Sequence, residues 1–347
     1  MAVINYERLD TTDVTTTKTL LHESIPLTGT IVSGTYGTWP SEENVKNYTH
    51  GMFQSVYDYP YLSSSANHIF DLTAGFNASS PLYGSTGVTM QSKKVNMYNQ
   101  FSQVLLGYTS SANTIRPFEL DTTLDTTGSM KEALFINFSR LLYKDEIKKG
   151  TVSITLGSGS WLDPFSVTKT LTDASASTTG GTADTQGGAY GVLYSSDNVA
   201  HGVCFYQAGL CVIATGAFGT ITDFNSSSAP VYSYTVGQSL VSASISGSCD
   251  AFRHRIQNIS FNNTTQIHST IYFCRIPHNK YNYSANPTYL SQSQIRVKNV
   301  ASDTPITYVT TIGLYNPNNE LLATAKLSEP LRKDPSNEIT LRVRLDY

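Results

Sequence analysis

The stretch Ile339-Thr-Leu-Arg-Val-Arg-Leu-Asp-Tyr347 decides the fold class. Apolar and aromatic side chains occupy its odd-numbered positions, while Thr, Arg and Asp occupy the even-numbered ones. A period of two residues places one set of side chains on each face of a β-strand. The stretch therefore predicts a strand with one buried face that runs to the last residue and is anchored in a sheet.

A strand pair is predicted just before it. Residues 306–315 and 321–327 are rich in β-branched and aliphatic side chains, and they flank the turn Asn316-Pro-Asn-Asn319. Asn and Pro supply the backbone angles that tight turns require. This arrangement predicts a β-hairpin.

The middle of the chain also predicts strands. Val152, Ile154 and Leu156 alternate with Ser and Thr, which is typical of a half-buried strand, and the apolar run at 132–143 is expected to pair with it. Residues 202–218 are apolar but fall short of the roughly 20 residues that cross a membrane. They predict two buried strands instead.

One helix is predicted, at residues 93–108. Its apolar residues Val95, Tyr98, Phe101 and Leu105 recur at spacings of three and four, and Gly107 is suited to its end. The apolar stripe is expected to pack on a sheet.

These patterns predict a mainly β fold, of the β-sandwich or jelly-roll kind, with one or two short helices. Residues 1–80 are expected to form an N-terminal arm or irregular flank, with a short strand near 28–36. Residues 81–300 are expected to form a central β domain, and 301–347 to complete its core. The low-complexity segment at 170–191 has little to bury and predicts a long exposed loop or insertion.

Composition favours contact with other proteins. Charged residues make up 14% of the 347-residue chain, where about 25% is usual, and Tyr is abundant at 22 residues. A Tyr ring buries well and its hydroxyl still finds a polar partner, which suits subunit interfaces. The net charge of -3 gives no basic excess, so we expect no nucleic acid as the partner. The longest apolar stretch is too short for a membrane helix, so we expect no membrane partner either.

Location is inferred from the start of the chain and from its cysteines. The first residues lack the basic and apolar regions of a signal peptide, so the chain is expected to be made and kept in a cytosol. The four cysteines are Cys204, Cys211, Cys249 and Cys274. In a reducing compartment they are expected to be thiols that pack in the core.

Familiar catalytic and metal-binding motifs are absent, including His-Glu-x-x-His, Cys-x-x-Cys, the phosphate-binding glycine loop and Gly-x-Ser-x-Gly. Gly157-Ser-Gly-Ser160 follows a predicted strand, but no lysine or helix comes after it, which favours a turn over a phosphate nest. His201 and Cys204 could form a nucleophile pair. Their spacing of three in a strand puts them on opposite faces, and this favours a structural Cys204.

Two pairs of carboxylates, Asp121 with Asp125 and Asp145 with Glu146, could act as an acid and a base as in glycosidases. A Thr-rich loop around the first pair and lysines beside the second favour solvated turn charges. The remaining histidines, including His254, His268 and His278, show no metal-ligand spacing. No catalytic, cofactor-binding or metal-binding residue is predicted, and we expect the protein not to be an enzyme.

Four segments carry a resemblance to a known class of protein: residues 143–150, 270–275, 281–289 and, above all, Tyr308 to Leu331. They are similar to virion structural proteins of contractile-tailed bacteriophages, particularly those of cyanobacterial phages. The resemblance implies assembly into the tail, with the baseplate preferred over neck or sheath. It also implies partners among other virion structural proteins, a homo- or hetero-oligomer, synthesis in the host cytoplasm, and no catalytic residues.

The leading hypothesis is thus a structural subunit of a phage tail or baseplate that acts through protein–protein contacts. An alternative is a receptor- or glycan-binding module of a tail fibre or spike, since β-sandwiches with aromatic loops bind sugars. A third hypothesis, a hydrolase of an envelope polymer, depends only on the scattered carboxylates.

Overall fold

Strands dominate the computed structural model, which describes residues 6–32, 34–109, 113–225, 233–283, 290–291, 294–295, 300 and 302–347. Strands hold 42% of the residues and helices 15%. The strands, numbered in chain order, are β1 (Val14–Leu21), β2 (Ser24–Thr28), β3 (Val45–Asn47), β4 (Gln54–Tyr57), β5 (His68–Phe76), β6 (Phe118–Glu119), β7 (Ser129–Met130), β8 (Glu132–Phe138), β9 (Glu146–Ile147), β10 (Ser153–Gly157), β11 (Thr168–Thr172), β12 (Thr182–Thr185), β13 (Gly188–Tyr194), β14 (Ala200–Phe205), β15 (Leu210–Ala214), β16 (Ile256–Ile276), β17 (Leu290–Ser291), β18 (Gln294–Ile295), β19 (Thr307–Tyr315), β20 (Leu321–Lys333) and β21 (Ile339–Asp346).

The helices are short. They are α1 (Gly29–Val32), α2 (Gln91–Leu105), α3 (Arg140–Tyr143), α4 (Val236–Ser242) and α5 (Ile245–Arg253), with single 3-10 turns at Thr11–Asp13, Ala174–Ser177 and Thr215–Phe218. The predicted mainly β fold with short helices is confirmed, although helical segments are more numerous than the one or two expected.

The chain divides into two units. The large unit is Leu21–Thr265, and the small unit combines Met1–Leu20 with Gln266–Tyr347. These bounds differ from those predicted, because residues 301–347 group with the end of β16 and the start of the chain instead of completing the central core.

The large unit is built on one antiparallel sheet with the strand order β16-β10-β11-β13-β14-β15-β8-β5-β4-β3. Four residues in register form a row across its middle: Cys204 lies opposite Cys211, which lies opposite Ile136, which lies opposite Leu72. All four are completely buried. The prediction of two buried strands at 202–218 is confirmed by β14 and β15, and Cys204, Cys211 and Cys249 are buried free thiols.

Both faces of this sheet are covered. In β14, Cys204 belongs to one cluster of buried apolar side chains, while Val203 and Phe205 belong to another. The helix α2 confirms the predicted helix and packs on β5. Gly75 in β5 makes that close approach possible, because a Cβ there would lie 2.5 Å from the carbonyl oxygen of Lys94 in α2.

Residues 1–80 are not an irregular flank, since β3, β4 and β5 belong to the main sheet. Their strands were hard to recognise because β5 is buried on both faces and has no regular alternation of polar residues. The strand expected at 28–36 is also wrong, because β2 ends at Thr28 and α1 follows.

The segment 170–191 is largely ordered, which corrects the predicted exposed loop. It contains the end of β11, a 3-10 turn, β12 and the start of β13. The buried Asp173 carboxylate fixes it, accepting hydrogen bonds from the Gly150 and Val152 amides and the Tyr206 hydroxyl, each at 2.8 Å. A low-complexity sequence is thus held by one buried acid.

The pairing predicted between residues 132–143 and 151–156 is wrong. β8 pairs with β5 and β15, whereas β10 pairs with β11 and β16. The predicted burial of alternate residues at 152–156 is confirmed, because Val152, Ile154 and Leu156 are all buried.

In the small unit, β21 pairs with the second half of β16 over eight consecutive positions, from Asp346 opposite Ser269 to Ile339 opposite Ile276. β19 and β20 pair with each other in a separate two-stranded sheet. The predicted C-terminal strand and hairpin are both confirmed. Part of one segment that carried the resemblance, 284–289, lies outside the described residues.

Candidate assembly surface

The described part of the small unit buries very few apolar side chains. Among its described residues, the buried apolar side chains are Leu341 and Val343, with 8% and 7% of their surface exposed. Both clusters of buried apolar side chains lie in the large unit. A unit of about 100 residues normally buries most of its apolar surface to be stable.

Large apolar side chains of the small unit are instead exposed. Those in its described part are Tyr6, Leu20, Tyr281, Tyr283, Val300, Tyr308, Tyr315, Leu321, Leu322, Leu331 and Tyr347. Five of them, Tyr308, Tyr315, Leu321, Leu322 and Leu331, lie on β19 and β20. We call these two strands and the turn between them the ribbon. Exposed apolar surface of this extent marks interaction sites.

The ribbon also has an apolar face that is only half covered. Ile312 lies opposite Ala325 and Leu314 opposite Ala323, and all four side chains are half-buried. An isolated two-stranded ribbon is marginally stable in water. Contact with another protein would bury this face and stabilise the ribbon.

The tip of the ribbon is held in a fixed shape by Asn316. Its side-chain oxygen accepts hydrogen bonds from the Asn318 and Glu320 amides at 3.0 and 2.8 Å, and its side-chain nitrogen donates to the Glu320 carboxylate at 2.6 Å. Asn319 takes a positive φ of 64°, which Asn tolerates. Leu321 and Leu322 follow at once, so the tip presents them from a preformed turn.

The base of the ribbon is fixed by Lys333, whose residue surface is completely buried. Its ammonium donates to the Asn282 side-chain oxygen at 2.7 Å and to the carbonyl oxygens of Asp334 and His278 at 2.8 and 3.2 Å. All three protons of a lysine ammonium are thereby used. The ribbon is anchored at its base and exposed at its tip, which is the geometry of a docking arm.

The residues considered for catalysis do not converge. Asp121 accepts hydrogen bonds from the amide and hydroxyl of Thr123, and Asp125 from the Thr127 amide, so both shape turns. Asp145 is exposed and Glu146 half-buried in β9. Among the described residues, no group of three or more His, Cys, Asp and Glu is placed to hold a metal ion.

His201 and Cys204 are both buried, but they make different contacts. The His201 ring nitrogen lies 3.4 Å from the Lys169 ammonium. Burial, together with that lysine, lowers the pKa of His201. Burial and the neighbouring Cys211 raise the pKa of the Cys204 thiol well above its usual value, the opposite of what a nucleophile requires.

A buried ionic network in the large unit was not recognised in the sequence. Arg253 donates to both carboxylate oxygens of Glu42, at 2.8 and 2.9 Å, and to Asp250 at 3.1 Å. The Gln54 side chain donates to Asp250 at 2.7 Å. Burial raises the pKa of Asp250. The network joins α5 to the segment before β3 and to β4, a structural role.

A signal for the ribbon tip was present in the sequence. Leu321 and Leu322 are adjacent, and neighbouring residues of a strand point to opposite faces. One of the two must therefore face away from any single core. They expose 53% and 69% of their surface.

No family model, curated protein or solved structure matches the chain. Within the described ranges, no helix is both long and apolar enough to cross a membrane.

Proposed function

We propose that the protein is a structural subunit of a bacteriophage tail or baseplate, and that it acts through protein–protein contacts made by its small unit. Its partners are other virion structural proteins or further copies of the chain. It is made in the host cytoplasm and carried in the virion. The phage context comes from the resemblance of the sequence segments, and the mode of action is supported by the fold.

The observation that carries the proposal is the scarcity of buried apolar side chains in the described part of the small unit. Its described residues bury Leu341 and Val343 but expose Tyr308, Leu321 and Leu322 on a preformed ribbon. Burying one such side chain contributes about 1.5–3 kcal/mol, so a partner that covers several of them gains substantially.

Purified phage particles, tested for the chain by mass spectrometry and cryo-electron microscopy, provide the experiment. We expect the wild-type chain in the particle, and we expect the double substitution Leu321→Ser and Leu322→Ser to reduce its incorporation. Leu162→Ser is the matched control, because Leu162 is 74% exposed in the large unit. Absence of the wild-type chain from particles would refute the proposal.

A second candidate function is a receptor- or glycan-binding module, favoured by an open groove of about 560 Å³ in the large unit. Ser158, Ser160, Thr220 and Thr222 line it together with Lys169. Hydroxyls and one cation suit a saccharide, and the volume is in the range of ligand sites. Saturable binding on a glycan array that is lost with Lys169→Met would favour this function over the first.

A further inference from the structure

One edge of strand β21 has no partner strand in the described part of the chain. The amides and carbonyls of His268 and Tyr347 exchange two hydrogen bonds, at 3.0 and 2.8 Å. Because backbone groups alternate between the two sides of a strand, the odd-numbered residues of β21 point their amides and carbonyls toward β16. Those of Thr340, Arg342, Arg344 and Asp346 therefore point away from it. In the described part of the chain, β21 pairs with β16 and with no other strand.

The regularity of β21 makes this edge a good template. Its eight pairs with β16 continue without a bulge, so the outward amides and carbonyls are evenly placed. Proteins usually protect such an edge, because it can pair with a strand from another chain. The charged side chains of Arg342 and Arg344 disfavour the pairing of most extended segments with this edge.

Side chains on the edge define the partner. On one face Leu341 and Val343 are buried, so an added strand would extend an apolar surface there. On the other face Arg342 and Arg344 are exposed. Arg344 donates to Asp346 at 2.7 Å. Among the described residues, no carboxylate forms an ion pair with Arg342. Opposite charges on facing residues stabilise strand pairs.

A second copy of β21 fits this edge poorly. Suppose that two copies of β21 pair antiparallel along their outward edges, so that at least three of the positions 340, 342, 344 and 346 of one copy face these positions of the other. In every such register an arginine of one copy then lies opposite an arginine of the other. Like charges directly opposite each other destabilise a strand pair. The edge thus selects a different sequence.

We propose that β21 accepts an extended segment of a neighbouring subunit as an added strand, and that this segment alternates apolar residues with Asp or Glu. The inference rests on the proposed function, since it names the kind of partner that the small unit binds. Backbone hydrogen bonds supply the affinity, and the carboxylates facing Arg342 and Arg344 supply the selectivity.

Two labelled peptides test the proposal on the full-length chain by fluorescence anisotropy: one alternates Val with Glu, the other Val with Lys. We expect the Val-Glu peptide to bind at least about tenfold more tightly, from the facing charge pairs. The double substitution Arg342→Glu and Arg344→Glu should reverse the preference. Lys326→Glu, an exposed charge change on the ribbon, should leave it unaltered.

Proline substitution tests the backbone contacts. Arg342→Pro removes an amide that points outward and keeps the pairing with β16, whereas Val343→Pro removes one that points inward. We expect Arg342→Pro to abolish peptide binding while amides of Leu341 and Val343 stay protected from hydrogen exchange. Val343→Pro should lose that protection.

Equal binding of the two peptides, no binding of either, or full binding by Arg342→Pro would overturn the inference. If any of these occurs while the chain still enters particles through its ribbon, the inference fails and the proposed function stands. If the chain is absent from particles, the proposed function itself fails.

Discussion

Replacing Glu42 with Ala tests how much the buried network stabilises the large unit. The Glu42 side chain is completely buried, as is that of Arg253, and the two share bidentate hydrogen bonds at 2.8 and 2.9 Å. Glu42→Ala leaves the guanidinium with Asp250 and the Val32 carbonyl, at 3.1 Å each, and with the Gln54 side-chain oxygen at 3.4 Å. Removing one partner of a buried pair costs about 3–5 kcal/mol, and the single contact with Asp250 compensates the Arg253 charge only in part.

Urea unfolding followed by tryptophan fluorescence measures this cost. Both tryptophans, Trp39 and Trp161, lie near the network, and the Trp39 indole donates to the Asp250 carbonyl at 3.0 Å. We expect Glu42→Ala to lower the free energy of unfolding by about 3–5 kcal/mol without changing the slope of the denaturant dependence.

Two further variants serve as controls for the Glu42 prediction. Glu43→Ala changes an exposed neighbour and should have an effect below about 0.5 kcal/mol. Glu42→Leu combined with Arg253→Met and Asp250→Asn should recover most of the loss, because apolar replacements of buried ion pairs are often neutral and the new amide at position 250 can still accept the hydrogen bond from Gln54. A loss below about 1 kcal/mol for Glu42→Ala would refute the reasoning.

Three other predictions concern the core and the ribbon. Burial lowers the pKa of Lys94 to about 8, so between pH 8 and about 10 this residue binds more protons in the unfolded chain and its own contribution to stability rises with pH. Thermal melts of wild type and Lys94→Met should therefore differ by an amount that changes in favour of the wild type from about pH 8 to 10, and a difference independent of pH would contradict this. Gly75→Ala should destabilise by about 1–3 kcal/mol through the clash with Lys94, whereas Gly216→Ala, with open space around it, should be nearly neutral; equal melting temperatures would show that α2 moves freely. In the isolated chain, amides of the ribbon should exchange with deuterium much faster than those of β14 and β15, and slow down on assembly; uniform protection before assembly would show that the small unit is stable alone.

Strands with one buried face could be predicted from the sequence. In β10 and β21 apolar residues occupy alternate positions, and burial follows that alternation. β5 and β8 are buried at nearly every position, so their sequences lack the period of two. Their partners are set by contacts across long sequence separations, such as Leu72 opposite Ile136. This explains why strands were predicted more reliably than their pairing.

The candidate surface was only partly predictable. Low charge and abundant Tyr favoured protein contacts, and the hairpin that bears the surface was predicted. Composition does not reveal which apolar residues are exposed. Val343 and Leu322 are both aliphatic, yet Val343 is buried and Leu322 is exposed. The network of Glu42 and Arg253 joins residues 211 positions apart, and no local pattern marks it.

The hydrogen bonds that Asp173 accepts make the neighbouring residues 177–180 a suitable place for a label. Residues 177–180 are exposed, and Gly180 has open space where a Cβ would point. Hydrogen bonds to Asp173 fix the chain before residues 177–180, and the pairing of β12 with β13 fixes it after them. A short epitope inserted between Thr179 and Gly180 would therefore project from a rigid mount, giving electron microscopists a fiducial for tracing the subunit within a crowded density map.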